Sequence, residues 1–379
     1  MMYAAYMIQG DSVTLYRLYG AGEIVDVPDQ IDGRTVEMLA DHLFADEMSA
    51  LCSKEELLLA KLEGVVWTKQ EHDAYPGALK ELEMMDQSDL LKKEEMENLP
   101  GFWKKMEKLA TCGSRITAVH IPEGVRQIGN YAFYGLYELR EVSFPSTMQR
   151  IGWGMFTGCR MTNRLIFHLP VSEDEENDQI RREKETTPYI MKEVLDSLSN
   201  EIDVIVKREG KELYRLHFPH YFEEGKENTP ARIIEIIYHG TGHQYRNCFL
   251  NRMLQFDRYD EVFPLAAAQE DPVTNVHLIL NRLRSGPVPK EEILHRYLEY
   301  LRQENRTLME VILSDQEFDP ALTLRMLDGR GYFTSTNIDA SIQTASKCGM
   351  VTAVSCLMDI RNKRFSKNQT GKKRGRYEL

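Results

Sequence analysis

One stretch of this chain repeats itself closely enough to dictate a shape. ITAVHIP at 116–122 is followed by LREVSFP at 139–145, and IGNYAFYG at 128–135 is followed by IGWGMFTG at 151–158. Pro122 and Pro145, Phe133 and Phe156, and Gly135 and Gly158 are each 23 residues apart. A fixed period in the twenties describes units that cannot bury their apolar faces alone and must stack on neighbours. The expected product is a short solenoid with parallel strands. That architecture presents a surface for binding and implies no reaction.

The strand half of the unit recurs beyond these two copies. Val25-x-Val27-Pro28, Val119-x-Ile121-Pro122, Val142-x-Phe144-Pro145 and Phe167-x-Leu169-Pro170 all alternate apolar residues up to a proline that cannot donate to a ladder. About four rungs follow, above the three that stacking requires. The first is longer, with 16 residues from Pro28 to Phe44 against 11 from Pro122 to Phe133. Before it, strands are expected at 3–8 and 13–19 around a Gly10-Asp11 turn.

The unit I-x-x-V-x-I-P-x-x-V-x-x-I-G-x-x-A-F-x-G at 116–135 resembles the BspA-like branch of leucine-rich repeats, over residues 116–170 and again over 24–46. The resemblance implies a curved parallel sheet formed by the strand halves, with the A-F halves packed behind. It places Ile116, Val119, Ile121, Val125, Ile128, Ala132 and Phe133 in the core. It also implies macromolecular recognition without catalysis. Secreted members of that branch carry signal peptides and many repeats. Here the first residues lack a charged region and apolar run of the signal type, and no segment is apolar enough for a membrane span. A cytoplasmic location and no membrane partner are expected. Six scattered cysteines without a C-x-x-C pair read as reduced thiols.

The rest of the chain predicts an α+β protein. A helical insertion is expected at about 48–110, where SKEE at 53–56 has the form of a capping box before a leucine run. An acidic linker at 171–187 separates the repeats from a helix and hairpin at 188–230. In that hairpin Leu213-Tyr-Arg-Leu216 repeats Leu15-Tyr-Arg-Leu18. From 231 to 365 helices are expected, at 231–239, 244–257, 260–269, 273–284, 290–303, 306–314, 319–327, 337–348 and 350–362. ASKCGMVTAVSCLM at 345–358 is similar to the core of an ankyrin repeat, which implies paired helices offering a second surface. The layout as a whole resembles intracellular leucine-rich-repeat proteins of gut-type bacteria.

The candidate binding residues lie beside the apolar positions of the strands: Thr117, His120, Arg140, Ser143, Arg164 and His168. Strand side chains alternate, so these are expected to point away from the core built by Val119, Ile121, Val142 and Phe144. A second candidate is His239-Gly-Thr-Gly-His243, two imidazoles four apart. On a helix they would share a face as metal ligands, but the two glycines argue for a turn and no glutamate stands where a metalloprotease base belongs. No G-x-S-x-G elbow or three-glycine nucleotide loop is present. No cofactor, metal or catalytic residue is therefore expected, and the expected partner is a protein. With 59 acidic against 47 basic residues and a formal charge of −12, broad polyanion binding is disfavoured. The basic tail at 366–379 is the one feature that favours the alternative, a nucleic-acid-associated factor.

Overall fold

The structure, a computed structural model, describes residues 2–20, 22–45, 58–62, 110–171, 186–228 and 233–365. The chain divides into two compact units, the first comprising Met1–Leu213 and His220–Leu254, the second Tyr214–Pro219 and the chain from Gln255 onward.

In the first unit, β1 (Met2–Gln9) and β2 (Ser12–Tyr19) form the expected hairpin, turning at Gly10 with φ 63. Next come β3 (Ile24–Asp26), β4 (Gln30–Ile31) and β5 (Arg34–Leu39). The extra residues of the first rung are the β4–β5 hairpin, turned at Asp32 and Gly33 with φ 49 and 72. After β6 (Leu58–Leu62), the repeats supply β7 (Ala118–His120), β8 (Gln127–Ile128), β9 (Glu141–Phe144) and β10 (Arg164–Leu169), followed by β11 (Ile202–Arg208).

Strands β3, β7, β9, β10 and β11 lie side by side and parallel. Register aligns Val25, Val119, Val142, Leu165 and Val204 in one row, and all five are fully buried. In the next inward row Phe144 stacks on Phe167 at 5.1 Å. The A-F halves stack as well. Phe44, Phe133 and Phe156 form a second buried column at 5.7 and 5.5 Å. Each such phenylalanine contributes about 2 to 3 kcal/mol by leaving water. On this side β5 and β8 are parallel, with Leu39 opposite Ile128, and Gln127 bridges to Arg150. Backbone bonds tie the turns together: Phe44 N to Ala132 O at 2.9 Å and Phe133 N to Met155 O at 3.1 Å.

Several expectations are corrected here. Residues 58–62 fall in the expected helical insertion but form a strand, antiparallel to β1 with Ala4 opposite Ala60. The open edge of β1 outweighs the helical preference of leucine and lysine, because tertiary pairing overrides weak local propensity. Apart from these residues and Ala110, the insertion lies outside the described residues, as do most of the acidic linker and all of the basic tail. The boundary expected at that linker does not separate the sheet, since β11 continues it as a fifth parallel strand, Leu165 opposite Val204. The chain then turns at Glu209 and Gly210 into β12 (Lys211–Phe218), as the hairpin reading anticipated.

A helix is expected at 231–239, but its described part, residues 233–239, is not helical. Ile233–His239 is strand β14, antiparallel to β13 (Phe222–Asn228). Four β-branched isoleucines on one strand fit a pleated ribbon better than a helix. The helix expected at 244–257 breaks up in the same way. A short helix α2 (Gly242–Arg246) follows α1 (Met191–Asp196), then β15 (Phe249–Leu250) and β16 (Met253–Leu254) turn at Asn251 and Arg252 with φ 49 and 67. Two consecutive positive φ values make a hairpin turn that no helix can contain.

The second unit is helical, as expected from residue 260 on: α3 (Phe256–Gln269), α4 (Pro272–Arg284), α5 (Glu291–Gln303), α6 (Asn305–Ser314), α7 (Pro320–Gly329), α8 (Asn337–Lys347) and α9 (Val351–Phe365). Asp271 and Asp319 each cap a helix whose first residue is proline, accepting backbone N–H groups that the helix leaves unpaired. Inside this unit Arg282 grips Asp260 through Nε at 2.7 Å and Nη2 at 2.9 Å, and Tyr297 donates to the same carboxylate at 2.9 Å. Burial raises the Asp260 pKa, against the pull of Arg282 and Tyr297.

The repeated Leu-Tyr-Arg-Leu motif buries its arginine twice, with different partners. Arg17 donates to the carbonyls of His42, Leu43 and Ala45, closing the first A-F turn from inside. Arg215 pairs with Glu317 at 3.0 Å.

Candidate recognition surface

The outward rows of the parallel sheet carry a chain of polar side chains, one from each of four successive strands. Asp26 on β3 meets His120 Nδ1 on β7 at 2.7 Å, and His120 Nε2 meets Glu141 Oε1 on β9 at 3.3 Å. Arg164 on β10 donates to the other Glu141 oxygen at 3.2 Å. Sheet register produces this order, since Ala118, Glu141 and Arg164 share one row and Asp26, His120 and Ser143 the next. Carboxylates alternate with an imidazole and a guanidinium across a partly exposed face. That face is suited to matching a complementary charge pattern, while each charge keeps a partner when nothing is bound.

The six strip candidates divide. His120 and Arg164 lie in the chain of polar groups. Thr117 and Arg140 have the strand parity of Val119 and Val142, yet they escape the core because each precedes its strand. Thr117 donates from Oγ1 to Glu23 O, and Arg140 is exposed beside Glu138. Ser143, only 9% exposed, is held under the surface by His168 Nε2 at 3.0 Å. Asp26 and Glu141 were not among the sequence candidates, because their role depends on which strands become neighbours.

Burial lowers the His168 pKa below the ordinary 6.5, with Glu123 opposing and Lys207 and His120 assisting. Below that value the unfolded chain takes up a proton that the folded chain resists. Stability is therefore held above the ordinary value and lost as pH falls through it. Urea midpoints at about pH 7.5 and about pH 5.5 should show this decline, and His168→Gln should flatten it. An unchanged slope in that variant would remove His168 as the cause.

Behind the sheet, Trp153 is 75% exposed and meets Tyr131 edge to face at 5.2 Å, while Tyr131 stacks on His42 at the same distance. Tyr131 and His42 hold equivalent places in their rungs, each at positive φ, 53 and 60.

His239 and His243 do not converge. His239 ends β14, stacked on Phe222 at 4.4 Å with Nε2 on Glu224 at 2.9 Å. His243, in α2, stacks on Tyr238 at 3.6 Å. Phe222 and Tyr238 lie on opposite faces of the β13–β14 ribbon by strand alternation, so each imidazole covers a different face. Among the described residues no group of three or more His, Cys, Asp or Glu could hold a metal ion. The tight passage from His239 to His243 turns at Gly240, φ 83, and is fixed from within by Arg246. That guanidinium is 1% exposed and donates to Leu195 O, Leu198 O, Asn200 O and Gly242 O, with its face over Tyr221 at 5.1 Å. Burial lowers its pKa to about 10, which leaves it charged at neutral pH.

Among the described residues no two cysteines are joined in a disulfide, and burial pushes the Cys159 thiol up to about 12. Thiolate chemistry at neutral pH is thereby suppressed there.

The 23-residue spacing, strands β7, β9 and β10, and the ring pairs Phe133–Phe156 and Phe144–Phe167 fall in one segment. A model of the BspA type leucine rich repeat region (6 copies) matches residues 104–177. This segment is thus similar to that family over the rungs that carry His120, Arg140, Ser143, Arg164 and His168. No solved structure matches the chain. Among the described residues no helix is long and apolar enough to cross a membrane.

Proposed function

We propose that the chain is a protein-interaction scaffold without catalytic activity, acting in the bacterial cytoplasm. In this reading residues 24–46 and 116–170 form a short leucine-rich-repeat solenoid, and the helices after Gln255 add an ankyrin-like surface. Leucine-rich repeats generally mediate protein–protein interaction, and the repeat segment resembles them. The observation that carries the reading is the alternating chain Asp26, His120, Glu141, Arg164, which spans four parallel strands on the outward face. Thr117 and Arg140 flank this strip, and Ser143 and His168 support it from below. His239 and His243 are left as supports of the β13–β14 ribbon.

The test is affinity capture from native lysate by the wild-type chain and by an Arg140→Ala, Arg164→Ala double variant, with and without nuclease. A stoichiometric protein partner should survive nuclease and be lost with the double variant. A partner that the variant still retains would refute the strip. Loss on nuclease treatment would favour the nucleic-acid reading through residues 366–379 instead.

A further inference from the structure

The β13–β14 ribbon is a two-stranded sheet with no third strand among the described residues. Such a ribbon is marginal in water by itself and gains from a third strand. Its root is secured by the Phe222–His239 stack and the His239–Glu224 bond, so the strands stay paired.

The two edges differ. β13 reads FEEGKEN, and its exposed charges blunt its edge against further pairing. β14 reads IIEIIYH, with one acid, no lysine and no proline. Its outer backbone N–H and C=O groups are a template for another strand. Ile236, opposite Gly225, is 52% exposed, and Tyr238 on the same face is also exposed.

Charge selects the occupant. The two strands carry four acids, Glu223, Glu224, Glu227 and Glu235, against one lysine, Lys226. Register puts Glu224, Glu235 and Ile237 on one face and Glu223, Glu227, Ile236 and Tyr238 on the other. On β14 itself an incoming strand meets the carboxylate of Glu235 on one face and the apolar side chain of Ile236 on the other. A second copy of this chain would bring its own acids and a formal charge of −12 to the same place, which like-charge repulsion disfavours.

We propose that the outer edge of β14 receives an extended segment of another protein, added as a third strand, in which apolar residues alternate with lysine or arginine. Its backbone bonds to β14, its apolar residues cover Ile236, and its cations meet Glu235. This surface uses none of the strip residues of the repeat sheet and stands independently of the function proposed for them.

The test uses the full chain and three labelled peptides of about eight residues: alternating Val and Lys, the same with Glu for Lys, and the Val-Lys peptide with its two central valines replaced by proline. Fluorescence anisotropy should show the Val-Lys peptide binding at least tenfold more tightly than either control, roughly 1.4 kcal/mol or more. Amide exchange should slow at residues 234–238 when it binds. Ile236→Ser, which keeps the charge unchanged, should weaken binding severalfold while far-UV circular dichroism stays the same. Equal binding of the proline peptide would mean general charge attraction and would overturn the proposal. So would unchanged exchange at β14, binding untouched by Ile236→Ser, or sedimentation showing a dimer that Ile236→Ser dissolves.

Discussion

Arg246→Met is expected to destabilise the first unit by about 3 to 5 kcal/mol, the cost of breaking a buried charged network. The methionine fills much of the same volume but donates nothing. Leu198 O and Asn200 O lose a cationic donor, as do Leu195 O at the end of α1 and Gly242 O in α2. Domains of this kind are stable by only about 5 to 15 kcal/mol, so the effect should be plain in urea midpoints and in faster amide exchange around 195–200 and 240–246. Arg246→Lys should fall between the two, because one ammonium cannot span four carbonyls set around a planar fork. A loss under about 1 kcal/mol would mean that water reaches these carbonyls and that the turn is not closed.

Gly152→Ala is the second large effect, and its cause is size alone. A Cβ at Gly152 would lie 2.2 Å from the carbonyl carbon and oxygen of Gly129 and 2.3 Å from Asn130 N, all backbone atoms of the preceding rung. At Gly129 the clash recurs one rung earlier, 2.4 Å from Asp41 N. Backbone cannot step aside as a flexible side chain can, so adjacent rungs would have to separate. The expected cost is about 3 kcal/mol or more. Gly135→Ala is the control, since its Cβ would meet open space and only the positive φ of 76 resists it. That strain costs about 1 kcal/mol. Comparison of the urea midpoints of the two variants reads the rung contact directly; a smaller loss for Gly152→Ala than for Gly135→Ala would show that the rungs do not touch there.

These two residues mark different degrees of legibility. The Ile-Gly step was visible as a motif, and its spacing aligned the rungs correctly, because a period of 23 leaves one way to stack. The reason for glycine, contact between successive backbones, appears only when the rungs are in place. The buried roles of Arg246, Arg17 and Arg282 were not legible in the sequence. A lone arginine among polar neighbours ordinarily reads as exposed, and nothing local shows that carbonyls or a carboxylate will converge on it. The failures at 58–62 and 233–239 share a cause. Short apolar runs fit helix and strand alike, and the choice rests with a partner strand distant in sequence or across a turn. Within the candidate strip, His120 and Arg164 were legible by alternation, whereas Thr117 and Arg140 precede their strands and Ser143 is buried by its neighbour.

The sequence by itself determined the repeat, its register and the apolar columns behind it, because periodic apolar spacing has one economical way to leave water. It also determined the helices of the second unit from α4 on, where helical spacing is long and its ends are punctuated. Only the tertiary structure decided which charges meet. Asp26, His120, Glu141 and Arg164 come from positions as much as 138 residues apart and join only because four strands align side by side. The open edge of β14 is likewise a fact of pairing, because only the assembled fold makes this segment a strand and leaves one side of it without a neighbour among the described residues.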